Sequence, residues 1–188
     1  LPNTPYFVVC YYAVIKAGGT VVNINPLYAE EEIARQIADA EARIVVTLSL
    51  KALYPKLAAV MQRAGVGTVV ACSMADALPF LQKPLFRLLQ RKEIAAVPAD
   101  ERHVAFRDLV ANDGDCRVPD IDPGRDVALL QYTGGTTGLP KGAMLTHANL
   151  YANAVQTAMW FTKMEAGRER ILGVLPLSHA FAMTVVMN

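Results

Sequence analysis

The chain has 188 residues, 53% of them apolar, with a mean hydropathy of +0.27. Its 18 basic and 17 acidic residues leave a formal net charge of +1, which excludes a general electrostatic pull toward nucleic acid. Cys10, Cys72 and Cys116 are widely spaced and form no CxxC pair, so neither a disulfide framework nor a zinc site is expected, and a reducing cytosol fits best.

The first third alternates helix and strand patterns. Thr4 or Asn3 can cap a helix with Pro5 early in it, running through Phe7–Lys16 and closing at Gly18 and Gly19. Its apolar run, Phe7–Ile15, is too short to span a bilayer, which takes about 20 residues. Thr20–Ile24 is short and β-branched, hence a strand, and Pro26 and Tyr28 mark a turn. Glu30–Ala42 places Ile33, Ile37 and Ala40 on one helical face. Arg43–Leu48 predicts a second strand, Leu50–Ala64 a helix and Gly67–Cys72 a third strand. This alternation implies βαβ units and a parallel sheet, an α/β fold of layered sheets with flanking helices.

Ala75–Val97 breaks the rhythm. Leu81, Leu85, Leu88 and Leu89 share one helical face, and Lys83, Arg87, Gln90 and Arg91 share the opposite one. Pro84 would start or kink that helix. Two readings stay open: residues 80–92 lie on an anionic membrane surface, or the helix packs on its own domain with a solvated basic side.

Ala111–Gly124 is a loop rich in turn residues, followed by a buried strand at Asp126–Tyr132. Gly142–Thr146 predicts another strand, Asn149–Thr162 a helix, Arg170–Leu175 a strand, and Ala180 onward a helix. No internal repeat or low-complexity tract is present. Leu1 opens no signal peptide, and the apolar run Ala180–Asn188 lacks a stop signal, so a piece of a longer domain is expected. Apolar surface left uncovered would then favour self-association.

The chemistry concentrates in Thr133–Gly142, TGGTTGLPKG. Gly134, Gly135 and Gly138 let the backbone approach an anion, and successive N–H groups in such a turn form a nest for phosphate oxygens. Thr133, Thr136 and Thr137 add hydroxyls, Lys141 adds a positive charge, and Pro140 stiffens the exit. The spacing is neither G-x-x-x-x-G-K-[ST] nor G-x-G-x-x-G, and the loop lies between two strands instead of opening a helix. A plain hairpin turn would need neither three threonines nor a lysine. No GxSxG surrounds Ser178, which leaves a serine hydrolase unsupported. His179 is read either as a site residue or as a satisfied core histidine; His147 caps or precedes the next helix, and His103 has no evident partner.

Tyr132–Leu150, YTGGTTGLPKGAMLTHANL, resembles the signature phosphate loop of the adenylate-forming superfamily, which includes acyl-CoA synthetases, luciferases and peptide-synthetase adenylation domains. The common form has serine where Gly134 stands. Glycine there, with the GAMLTH continuation, resembles bacterial long-chain fatty-acid–CoA ligases. Leu1–Tyr28 resembles the early part of the same N-terminal domain, and Leu175–Ala182, LPLSHAFA, its second substrate motif.

The resemblance implies a two-step reaction of a fatty acid with ATP, Mg²⁺ and coenzyme A. Acyl-AMP and pyrophosphate form first, and acyl-CoA follows. On the matching positions, Thr133, Gly134, Gly135, Thr136, Thr137, Gly138 and Lys141 would hold the β- and γ-phosphates. Thr136 or Thr137 would lie near Mg²⁺. His179 would sit beside the acyl and adenylate pocket, and Met183 stands where some relatives carry an aromatic gate. The resemblance puts the adenine loop, the Mg²⁺-binding glutamate, the ribose-binding aspartate and the adenylation lysine beyond Asn188. No catalytic residue is therefore assigned within this incomplete N-terminal domain, which is expected to be inactive alone. The competing expectations are a ligase for a medium-chain or aromatic acid, and a non-catalytic module that holds nucleotide or a partner. A cytoplasmic location is expected from the cysteine usage, with peripheral contact at the inner membrane face as one of the two readings of the basic helix at 80–92.

Overall fold

The computed structural model describes residues 1–133, 140–163, 165 and 167–188. The chain divides into two units. One holds Leu1, Asn3–Tyr6 and Ile24–Cys116; the other holds Pro2, Phe7–Asn23 and Arg117–Asn188. Each contains a three-stranded sheet with flanking helices, the mixed α/β class expected.

α1 (Pro5–Lys16) begins at its proline, whose missing N–H is harmless in a first turn. It closes on Gly18 at φ 74°, where Gly18 N–H donates to Ile15 O at 3.0 Å and Gly19 N–H to Val14 O at 2.9 Å. This is the left-handed glycine cap that the GG step predicts. A Cβ on Gly18 would also lie 2.7 Å from Pro119 Cγ, so conformation and space both demand glycine there. β1 (Val21–Asn23) follows, within the expected strand.

In the first unit, α2 (Glu30–Asp39) carries three glutamates in its first turn, and Glu32 Oε2 accepts the Ala29 N–H at 2.9 Å. β2 (Ile44–Leu48) and β3 (Thr68–Cys72) pair in parallel, as the alternation implies. Between them α3 (Tyr54–Val60) is shorter than the predicted Leu50–Ala64. Leu50 forms a bridge with Ile94 instead, and Pro55 fixes the start of the helix. Ile33, Ile37, Leu57, Val60 and Val69 are the centre of this unit's core.

α4 (Gln82–Leu89) buries none of its residues, and Pro84 sits in its first turn without kinking it. Within these residues Leu85, Leu88 and Leu89 of its leucine face are exposed. β4 (His103–Ala105) completes the sheet beside β3, and α5 (Phe106–Leu109) follows it. The Phe106 ring meets Tyr6 edge-on at 4.8 Å, over a second cluster that includes Leu48 and Cys72.

In the second unit, β5 (Val127–Thr133) is central, with β1 parallel on one side and β6 (Lys141–Thr146) antiparallel on the other. The sequence placed β1 in one parallel sheet with β2 and β3. The structure corrects this: β1 pairs in parallel with β5, where side chains and a buried strand hold it. Thr20 Oγ1 donates to Val127 O at 2.8 Å, Asn23 finds a side-chain amide, and Ala128 and Leu129 are fully buried in the strand between.

α6 (His147–Trp160) starts two residues earlier than predicted. Thr146 caps it, accepting Asn149 N–H at 3.2 Å while Asn149 Oδ1 accepts Thr146 N–H at 3.0 Å. His147 is thus the first helical residue and not the cap. The strand predicted at Arg170–Leu175 lies in neither sheet. There Val174 N–H turns back to Leu172 O at 3.0 Å, a closure incompatible with an extended ladder. α7 (Ala180–Ala182) then opens a wider helical turn over Met183–Met187.

Candidate phosphate-loop site

The site is built on the β5–β6 hairpin of the second unit. Strand register sets Thr133 opposite Lys141 and Tyr132 opposite Gly142, so the two chain ends of residues 134–140 are held side by side. Thr133 Oγ1 lies 3.5 Å from Lys141 O. Lys141, expected in the loop, belongs to the first ladder position of β6; its backbone is fixed and its side chain is exposed. The expected phosphate ligands Gly134, Gly135, Thr136, Thr137 and Gly138 lie outside the described residues.

Gly142 serves this hairpin through space, not conformation. A Cβ there would stand 3.2 Å from Tyr132 Cζ, and Tyr132 is buried. The glycine after the lysine therefore lets the tyrosine ring lie across the hairpin beside the loop.

Two polar residues overlooked in the sequence join this hairpin to the second motif. Asn23 Nδ2 donates to Gln131 Oε1 at 3.3 Å, and Gln131 Nε2 donates to Ser178 O at 3.2 Å. Gln131 is two residues before the start of the glycine loop's ladder closure at Thr133, and Ser178 precedes His179. The relay thus tethers the LPLSHAFA segment to the strand that delivers the loop. The available signal was a glutamine within the largely apolar strand β5, since a half-buried amide needs partners.

His179 caps α7. Its Nδ1 accepts Phe181 N–H at 3.4 Å, which leaves the proton on Nε2. The residue is exposed, so its other ring nitrogen, Nε2, is open to solvent. Met183 is only 2% exposed, so a ligand would reach it only by moving its cover. Thr184 Oγ1 donates to Asn153 Oδ1 of α6 at 2.7 Å, fixing the helical turn that contains Met183.

Among the described residues, no group of three His, Cys, Asp or Glu side chains converges to hold a metal ion. Thr136 and Thr137, the hydroxyls expected near Mg²⁺, lie outside those residues. What the described geometry offers is a two-strand base on either side of residues 134–140, with Lys141 at the start of β6 and His179 on a segment tied to β5 through Gln131.

Residues 1–188 match the AMP-binding enzyme family along their whole length. A long-chain-fatty-acid–CoA ligase of Bacillus subtilis (strain 168) is 40% identical over 200 residues, covering 100% of this chain and 34% of that protein. One from Escherichia coli O157:H7 is 35% identical over 190 residues, covering 98% of this chain and 33% of its own length. The solved structure of a long-chain-fatty-acid–CoA ligase from Archaeoglobus fulgidus superposes with a TM-score of 0.73 at 29% identity, over 97% of this chain and 31% of that one. The chain spans about a third of the length of the curated relatives it matches. With the hairpin, its glycine–threonine–lysine loop and the tethered histidine segment, these likenesses show that the chain belongs to the AMP-binding enzyme family.

Proposed function

We propose that this chain is the phosphate-holding part of the N-terminal domain of a long-chain fatty-acid–CoA ligase. The observation that carries the reading is the β5–β6 hairpin, which holds Thr133 and Lys141 in register at the two ends of the glycine loop. In the first step a carboxylate oxygen attacks the α-phosphorus of ATP, and the bond to the β-phosphate oxygen breaks to release pyrophosphate. The carboxylate and the triphosphate are both anionic, and negative charge grows on the leaving group. Loop N–H groups, threonine hydroxyls and the Lys141 ammonium would offset that charge without reorganising. Mg²⁺, when bound through the phosphates and Thr136 or Thr137, supplies further charge neutralisation.

In the second step the coenzyme A sulfur attacks the acyl carbonyl carbon, AMP leaves, and the thiol proton passes to solvent or buffer base. His179 would sit beside the acyl-adenylate, and Met183 would line the acyl path once its cover moves. The reaction belongs in the cytoplasm, consistent with three cysteines spaced for neither disulfide framework nor metal. Among the described residues no helix is long and apolar enough to cross a membrane.

The test is ATP–pyrophosphate exchange and acyl-CoA formation by the full-length protein, with fatty acids of several lengths and an aromatic acid. Lys141→Ala should raise the ATP KM or lower kcat/KM by about ten- to a hundredfold, the loss of one charge-assisted contact. The 188-residue chain alone should form no acyl-CoA. Exchange that is unaffected by Lys141→Ala overturns the phosphate role. Preference for an aromatic or medium-chain acid assigns the substrate differently within the family, and no exchange with any acid favours a non-catalytic module.

A further inference from the structure

We propose that Gln131 is a positioning residue for the adenylation step, an inference that rests on the ligase reading above. Its amide holds the Ser178–His179 peptide against the strand that leads into residues 134–140. Register places Gln131 of β5 beside Asn23 of β1 on one side and Ala143 of β6 on the other. Cross-strand neighbours share a face of the sheet, so the two amides meet there, and alanine brings no competing polar group. Asn23 is buried, which keeps water from taking its place in the bond.

Chemistry fixes the direction of this relay. A backbone carbonyl only accepts, so Gln131 must turn its NH₂ toward Ser178 O, at 3.2 Å. Its Oε1 is then left to accept from Asn23 Nδ2, at 3.3 Å. Ser178 O and His179 N–H belong to one planar peptide group, and that N–H donates to Pro176 O at 2.9 Å. The peptide is therefore pinned at both polar atoms, by its own turn on one side and by β5 on the other. His179 O accepts Met183 N–H at 3.0 Å, so the helical turn that carries Met183 shares the same anchor. Methionine or leucine would fill the strand equally well; glutamine is the choice that reaches a carbonyl 47 residues on. Misplacing reacting groups by about 1 Å can cost roughly a hundredfold in rate, which gives such an anchor its value. The ends of the glycine loop do not depend on it, because backbone pairing sets Thr133 opposite Lys141. Loss of Gln131 should therefore separate ATP binding from turnover.

The experiment uses the full-length protein, with palmitate-dependent ATP–pyrophosphate exchange for turnover and calorimetry for ATP affinity. Gln131→Met removes both bonds; Gln131→Glu keeps an acceptor for Asn23 but has no N–H for Ser178. Each should lower kcat by at least about tenfold, with the ATP Kd within about twofold of wild type. Hydrogen exchange should quicken at amides 177–180 in both variants and stay unchanged in β5 and β6. Asn23→Leu, which frees the glutamine amide to rotate, should give a smaller loss. Combining it with Gln131→Met should cost no more than Gln131→Met alone, as a single relay requires. A merely structural glutamine would lower the melting temperature without splitting kcat from ATP affinity. Wild-type kcat in Gln131→Glu overturns the proposal, as does faster exchange at 177–180 with kcat unchanged, or ATP affinity that falls in step with kcat. These outcomes leave the ligase reading in place, whereas a wild type inactive with every acid overturns that reading and the positioning role with it.

Discussion

Asp100, His103 and Tyr54 form a polar line in the first unit that neither the fold's periodicity nor the proposed reaction uses. His103 Nδ1–H donates to Asp100 Oδ1 at 2.6 Å, and His103 Nε2 lies 3.0 Å from the Tyr54 hydroxyl. The hydrogen bond from His103 is the chief cause holding the Asp100 carboxyl below the usual carboxylate range. Burial, then the nearby Asp100 charge, push the Tyr54 phenol up. The two shifts have opposite consequences for stability. Because the folded carboxyl titrates lower than the unfolded one, Asp100 stabilises fully above about pH 4, and that contribution disappears as pH falls through its folded value. Because the folded phenol titrates higher, Tyr54 stabilises fully below about pH 10, and its contribution is lost as pH rises through its folded value. Asp100→Asn should therefore flatten the acid limb of a melting-temperature-against-pH profile and, by removing the charge that adds to the Tyr54 shift, also soften the alkaline limb. A variant profile that parallels wild type from pH 3 to 6 would refute the role given to the carboxylate. His103 illustrates what sequence alone withholds: its partners are 3 and 49 residues away, and only the placement of β4 beside β3 brings them together.

At the scale of elements, local rules governed where the chain starts and stops helices, and long-range pairing governed its strands. Pro5 and Gly18 bound α1 for steric reasons that any context would impose. Thr146 with Asn149 caps α6 in the same local way, although Asn149 itself looked like the start. Thr146→Ala removes the acceptor of the Asn149 N–H and should cost about 1 kcal/mol, seen as a lower urea midpoint with unchanged slope. A change in slope would point instead to an altered unfolded or native ensemble. The strands were legible as segments but not as partners. β2 and β3 pair as neighbours in sequence, whereas β1 crosses to β5, more than a hundred residues on, and no periodicity encodes that choice. The segment 170–175 failed for the complementary reason: its alternation is strand-like, yet the backbone turns at Leu172–Val174 and joins neither sheet. The glycine–threonine–lysine loop was legible as a motif of the family to which the chain belongs, because its residue types and order are local in sequence. Gln131 was not, because its value depends on Asn23 and on the carbonyl of Ser178, both remote in sequence.

At the scale of the molecule, the second unit carries more apolar surface than a monomer in water usually leaves uncovered. Trp160 is 86% exposed and Leu172 84%, and Tyr151 and Met159 are exposed on α6, which buries none of its residues. Scattered exposed leucines are ordinary, but α6 is a 14-residue helix with no buried residue, and two of its last residues are large and apolar. The chain spans about a third of its relatives' length, so this surface has no counterpart of theirs to meet when the 188-residue chain is made alone. Hydrophobic association between copies is then favoured in proportion to the area removed from water, and neither unit's near-neutral charge opposes it. The isolated chain should accordingly self-associate, its light-scattering mass rising with concentration and persisting in high salt, which would dissolve a complex held by charge. Replacing Met159 and Trp160 with glutamine and lysine should shift the rise to higher concentration without altering the melting temperature, since both side chains are exposed. A mass that stays monomeric across the series would show that these side chains, though open to solvent, do not find one another. A mass that rises identically in the variant would move the association to a different face.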